Sequence, residues 1–373
     1  MQKAVYLLST AVMVFLCAPG TASGQGNGVS EGKRLFESET FRGNGRTCRT
    51  CHSKATGTVS PEEIQHLFNT HPNDPLFVGD GGDDGNGHGT TRIRRDATIL
   101  MRILLAPNIK LVATLNATHM TVSRGIPTTL NTPALDPVLM LDGRQPDLQS
   151  QARGAIQDHA QATFMPTVLE LDRIKEFQLT DQFFSSPEVR KFAQGGPAPG
   201  LPQGNTASEK RGRRFFEDEV DFVDPKHGLC AGCHAGPMLN QTNLFLQIVF
   251  AIPVGTRFQN ILVSELNVAR NPLQEFIFNK GSANPISVSS PDIGRSAITG
   301  VTPVEDVTFS HFNAFKIPQL RGIRDTGPYF HDNSAKTLED VMTHYTNFFA
   351  IVAGLNLTPQ DRADVVAFMK LLH

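Results

Sequence analysis

The 373-residue chain contains no tryptophan, so no step that depends on an indole ring can occur in it. Net charge is also nearly absent: 34 Lys and Arg against 36 Asp and Glu leave −2. Such a balance gives no reason to expect nucleic acid or an anionic membrane surface as partner. Long apolar runs are lacking. The stretch from Val5 to Leu16 is interrupted by Ser9 and Thr10 and is too short to be a comfortable bilayer span. With Lys3 before it and small residues from Gly20 to Gly24 after it, it reads as an export signal over residues 1–24. The expectation is therefore an exported, periplasmic chain. The remainder, at 39% hydrophobic and 19% charged overall, has ordinary globular composition.

Cysteine is scarce as well. Of five, Cys17 falls within the export segment, leaving Cys48, Cys51, Cys230 and Cys233. Disulfides are one use for them in an exported chain. Their arrangement argues against it. They form Cys48-Arg49-Thr50-Cys51-His52 and Cys230-Ala231-Gly232-Cys233-His234, both of the C-x-x-C-H pattern that attaches c-type haem. Two cysteines about a helical turn apart reach the two vinyl groups of one porphyrin, and the histidine supplies the proximal imidazole. Zinc would need four ligands converging on one point, whereas each motif here is complete for haem and the two are far apart. Two covalently bound haem c groups are expected, with His52 and His234 on the irons.

Each motif follows a similar lead-in, Gly32-Lys33-Arg34-Leu35-Phe36 and Gly212-Arg213-Arg214-Phe215-Phe216. This weak internal repeat implies two copies of one haem-binding unit. The run Gly195-Gly196-Pro197-Ala198-Pro199-Gly200 reads as a linker. It divides the chain into an N-terminal cytochrome c-like domain, 25–204, and a C-terminal one, 205–373. The fold class is mainly α, two cytochrome c-like haem domains in tandem with some added short strands. Thr358, Pro359 and Asp361 open a C-terminal helix, which should pack across the lead-in helix of its own unit. Thr337 opens another, with Leu338, Val341, Met342 and Tyr345 on one face. Residues 99–123 read as short strands with turns, and 245–265 as similarly non-helical. The stretch Gly79 to Gly89 reads as a solvated or ion-binding loop.

Phe315-Lys316-Ile317-Pro318-Gln319-Leu320-Arg321 and Thr326-Gly327-Pro328-Tyr329-Phe330-His331-Asp332-Asn333 resemble the C-terminal signature shared by the bacterial di-haem cytochrome c peroxidases and the MauG-like enzymes. Arg124-Gly125-Ile126-Pro127-Thr128 and Leu141-Asp142-Gly143-Arg144 resemble the N-terminal motif of that family, with Gln151 at the usual interval. The resemblance covers most of the chain after the export segment, while the stretch between His52 and Arg124 matches poorly. It implies that hydrogen peroxide is reduced at the N-terminal haem, with electrons relayed through the C-terminal haem from a small donor protein, a cytochrome c or a cupredoxin. A homodimer is the oligomer it suggests.

The same resemblance points to particular residues and to departures from the pattern. Tyr345, fourteen residues after His331, stands where the peroxidases carry a methionine ligand and the MauG-like branch a tyrosine; Met342 is its rival as distal ligand of the second haem. Leu141 replaces an inter-haem tryptophan. The distal glutamate position falls on Gln161 in an ungapped count, with His159 nearby as its substitute and Gln151 as a hydrogen-bonding group. His71 or His66 would cap the first iron. A calcium ion would take backbone carbonyls of Thr326 and Pro328, although Gly125 replaces an expected asparagine ligand. Tyr345 and Leu141 favour an alternative, MauG-like or oxygenase-like oxidation of an organic or protein substrate through high-valent haem iron. A non-enzymatic electron-transfer cytochrome is a further alternative.

Overall fold

The computed structural model describes residues 25–219, 221–267, 269–279 and 284–372. The export segment expected over 1–24 lies outside the described residues. The fold is mainly helical, with a few short antiparallel strands. Among the described residues no helix is long and apolar enough to cross a membrane.

The lead-in repeat has a structural cause. The helix Gln25–Glu37 crosses Val168–Thr180, and the helix Ala207–Arg214 crosses Pro359–Met369. Gly32 and Gly212 stand at the two crossings. A Cβ on Gly32 would collide with the backbone carbonyl of Arg173, and one on Gly212 with that of Asp364. Only glycine lets the backbones approach this closely. The aromatic residues that follow then enter the cores. Phe36 packs edge-on against Phe177 and Phe184, and Phe216 packs against Phe368.

The C-terminal helices start as their sequences predict. Thr358 Oγ1 accepts from Asp361 N, and Thr337 Oγ1 from Asp340 N, each within a reciprocal capping box. The segment 245–265 departs from expectation, because it opens with the helix Leu244–Phe250. Asn243 Oδ1 accepts from Phe245 N and Leu246 N, a cap that starts a helix even in an unpatterned apolar run.

A third buried cluster draws on distant parts of the chain, joining Ile99, Ile103, Ile109 and Val122 to Phe276, Phe278 and Ile293. The strands Thr98–Leu104 and His119–Gly125 pair antiparallel, as the reading of 99–123 anticipates. Strand Ile109–Leu111 pairs with Gln274–Phe278, placing Ile109 opposite Phe278, and Ile286–Ser290 completes that sheet. Beneath it Arg124, 1% exposed, makes a two-pronged ion pair with Asp292 at 2.7 and 2.8 Å and a third bond to Asp142 at 2.6 Å.

Residues 197–204 have no regular structure. Arg321 of the C-terminal signature holds them, donating to the carbonyls of Pro199 at 2.6 Å and Gly200 at 3.2 Å, and to that of Pro237 at 2.9 Å.

Candidate functional site

The two C-x-x-C-H loops have the same local geometry. His52 N donates to Cys48 O at 2.9 Å and His234 N to Cys230 O at 2.8 Å, closing one helical turn in each. Each ring is then fixed by a carbonyl five residues on: His52 Nδ1 donates to Gly57 O and His234 Nδ1 to Leu239 O, both at 2.8 Å. This leaves Nε2 of each imidazole as the basic nitrogen, the orientation metal-bound histidines adopt. Burial pushes both imidazoles down to about 4, so they remain neutral and able to donate a lone pair. Burial also pushes the thiols up, to about 12 for Cys48, Cys230 and Cys233 and about 11 for Cys51.

The first loop opens onto a cavity enclosing about 1320 Å³ of empty space that is partly open to solvent. Cys48, Cys51 and His52 line it together with apolar side chains that include Phe36, Ile99, Met101, Leu148 and Ile156. Apolar walls, two thiols and one neutral imidazole suit a covalently held haem. Gln151 and His159 line the same cavity, from the helix Leu148–Asp158 and its C-cap. His159 Nδ1 donates to Asp80 Oδ2 at 2.5 Å.

Other expected residues lie elsewhere. Gln161 is exposed and does not line the cavity; a left-handed backbone at φ 50° turns it out of the run that carries His159. His159 and Ala160, just before it, do line the cavity. His71 and His66 are both exposed. His71 is the C-cap of the helix Pro61–Thr70, its N donating to Leu67 O at 2.6 Å and its Nδ1 lying 3.0 Å from Thr70 Oγ1, and it does not line the cavity of His52.

In the C-terminal part, Tyr345 packs among Phe330, Phe348 and Phe349 beside the second motif. Burial, with the neighbouring Cys233 and Cys230 thiols, pushes its phenol well above the ordinary range. A phenolate there needs a cation beside it. Met342, one turn back, is 2% exposed and belongs to the apolar core with Leu338, Val366 and Phe368.

Leu141 lines the first cavity and its carbonyl accepts from Lys316 N at 2.7 Å. Two residues on, a Cβ at Gly143 would collide with the ring of Phe258 and crowd the Arg295 guanidinium. Gly125 is required by a neighbour, because a Cβ there would meet the side-chain amide of Asn333. Asn333 Nδ2 donates to the carbonyls of Asp96 and Ala97 at 3.0 and 2.9 Å. Thr326 Oγ1 donates to Ile323 O at 3.4 Å, and Pro328 follows two residues on. No group of three His, Cys, Asp or Glu among the described residues is placed to hold a metal ion.

Sequence reading missed Asp80 and Arg46. Arg46 lies two residues before Cys48 but carries no motif. Asp80 belongs to the glycine-rich stretch that matches the family poorly.

No protein-family model matches the chain. Cytochrome c551 peroxidase of Nitrosomonas europaea is 25% identical over 259 residues, 66% of this chain and 64% of that protein. Hydrazine synthase subunit gamma of Kuenenia stuttgartiensis is 26% identical over 179 residues, 48% of this chain and 44% of that protein. The matches thus span less than two thirds of either relative. Among solved structures, a MauG-like protein associated with microbial copper homeostasis superposes with a TM-score of 0.51 at 18% identity, over 96% of this chain and 91% of that one. The fold is similar to that of this MauG-like protein. In sequence the chain is similar to cytochrome c551 peroxidase and, over 102 residues at 31% identity, to the methylamine utilization protein MauG of Methylophilus methylotrophus.

Proposed function

We propose that the chain is an exported di-haem c-type oxidoreductase that reduces hydrogen peroxide in the cavity beside His52. Electrons arrive from a small donor protein, a cytochrome c or a cupredoxin, by way of the His234 haem. The observation that carries this reading is the meeting of His52, Gln151 and His159 on one cavity.

Cys48, Cys51 and His52 would hold one haem, and Cys230, Cys233, His234 and Tyr345 the other. When bound, the haem iron supplies the redox chemistry. The side chains supply the rest. Gln151 offers an amide to hold peroxide in place, and His159 offers a basic nitrogen for proton transfer. The apolar walls restrict water, which strengthens each of these polar contacts.

A second reading is oxidation of an organic or protein substrate, and Tyr345 favours it. An anionic oxygen ligand stabilises ferric iron more than a thioether does, which makes the second haem a poor high-potential electron store.

The test is steady-state peroxide consumption by the holoprotein with a reduced cytochrome c or cupredoxin as donor. Donor-dependent turnover supports peroxide reduction. Reaction with peroxide without donor turnover, followed by oxidation of an added organic substrate, supports the second reading. Two haems inert to peroxide in every redox state would exclude both.

A further inference from the structure

The titratable side chains on the first cavity are nearly all committed to partners. Arg124 pairs with Asp292 and Asp142, Arg144 with Asp142, and Lys316 with Asp136. Glu39 pairs with Arg34 at 2.8 Å and also accepts from Phe41 N. The Arg34 hydrogen bond holds the Glu39 carboxyl below the usual carboxylate range, so it carries no proton near neutrality. His52 would hold the haem iron. His159 remains.

Its surroundings are built. Arg46 is 2% exposed and donates to the carbonyls of Pro75, Leu76 and Val78 at 2.8, 2.8 and 2.6 Å. The same guanidinium donates to His159 O at 3.1 Å and forms an ion pair with Asp80 Oδ1. The other carboxylate oxygen of Asp80 accepts from His159 Nδ1. Arg46 therefore fixes the loop, the loop fixes Asp80, and Asp80 fixes both the tautomer and the direction of the imidazole. Nε2 is left as the basic nitrogen of a residue on the cavity wall.

We propose that Asp80 and Arg46 are positioning residues that make His159 the proton carrier on the side of the cavity where peroxide reacts. The proposal rests on the peroxide reading above and names its proton path. Peroxide gives one proton to His159 Nε2. That proton returns to the outer oxygen, which leaves as water when the O–O bond breaks. Two electrons from the reduced donor protein and two protons from solvent complete the reduction of one peroxide to two waters. The carboxylate of Asp80 steadies the imidazolium while it holds the proton, as an acid does for histidine in other proton-transfer dyads. The charged groups facing His159 are Asp80 and Arg46; His52, on the same cavity, is neutral, and Asn44 adds a neutral bond to the His159 carbonyl at 2.9 Å.

The experiment follows cyanide binding to the ferric holoprotein by stopped-flow absorbance across pH. Hydrogen cyanide must lose its proton to a nearby base before the anion binds, so the rate reports the base without any turnover. His159→Gln should lower the association rate by about 100-fold or more and flatten its pH dependence. Asp80→Asn should lower it by about 10-fold or more and change its pH profile, because the imidazole loses the carboxylate that holds its Nδ1–H. Asp80→Glu should restore part of both. Haem content and melting temperature, measured alongside, register a merely structural loss, which would leave the pH profile in place. Three results overturn the proposal: an Asp80→Asn rate and pH profile like those of the unaltered protein, a wild-type haem that takes no cyanide, or a low-spin ferric spectrum that turns high-spin in His159→Gln, which would make His159 an iron ligand. A protein whose cyanide kinetics depend on His159 and Asp80 but which consumes no peroxide would overturn the peroxide reading and leave the proton carrier standing.

Discussion

Gly212 lies so close to Asp364 that the bare backbone of one helix rests on the carbonyl of the other. Gly32 and Arg173 repeat the arrangement in the first half of the chain. Gly212→Ala and Gly32→Ala should each destabilise the protein by about 1–3 kcal/mol, the usual cost of forcing an extra methyl into a packed contact. Gly200→Ala, with nothing within 4 Å of the added atom, is the control and should cost far less. Urea unfolding of the holoproteins measures all three.

Cys51→Ser and Cys233→Ser each remove one thioether from a different motif. Each should reduce covalently retained haem at its own site and leave the other site loaded. Intact-mass spectrometry and haem staining after denaturing electrophoresis separate the two. Loss of both haems from one substitution would show that the sites do not load independently.

Tyr345 and Met342 compete for one role and differ in surroundings. Tyr345→Phe should change the ferric spectrum and raise the potential of the second haem, since an anionic ligand is lost. Met342→Leu, a near-isosteric core change, should leave the spectrum alone and cost under about 1.5 kcal/mol. Spectroelectrochemical titration of the two variants reads the difference.

The buried ion group around Arg124 predicts a pH dependence. Burial alone would raise the Asp142 pKa, but Arg124 and Arg144 outweigh it and hold the carboxyl below its ordinary value. A depressed folded-state pKa contributes stability that is complete above the unfolded value, about 3.9, and disappears as pH falls through the folded value. Thermal stability should therefore drop on acidification below about pH 4, and less steeply in Asp142→Asn. Arg124→Ala should cost about 3–5 kcal/mol at neutral pH, because it leaves Asp292 buried without its cation and Asp142 with Arg144 alone.

The parts of the molecule that sequence reading reaches are those whose partners are close along the chain. Thr358 and Asp361 cap a helix three residues apart, and Cys230 and His234 close a single turn. The parts it misses are joined through space. Asp80 meets His159 through a loop that Arg46 holds at Pro75, Leu76 and Val78 and Arg92 holds at Asp80, Gly81 and Gly82. Counting residues along the chain pointed to Gln161, and one left-handed residue was enough to turn it away. His71 follows the first motif closely in sequence, yet the helix Pro61–Thr70 carries it to the surface.

The pairing of Ile109 with Phe278 has a consequence for how the protein comes to be made. As synthesis proceeds from the N-terminus, Ile109–Leu111 waits with an open strand edge until the residues near 278 emerge. Arg124 waits equally long for Asp292. The first C-x-x-C-H loop has its local contacts by then, so on the proposed reading a haem would be attached to a chain whose three-stranded sheet is unfinished. Non-local pairing of this kind slows folding and leaves a sticky edge exposed meanwhile. A fragment ending near residue 204 would keep that edge permanently and should aggregate, even though it contains a whole haem-attachment loop and every residue on the wall beside His52 except Lys316.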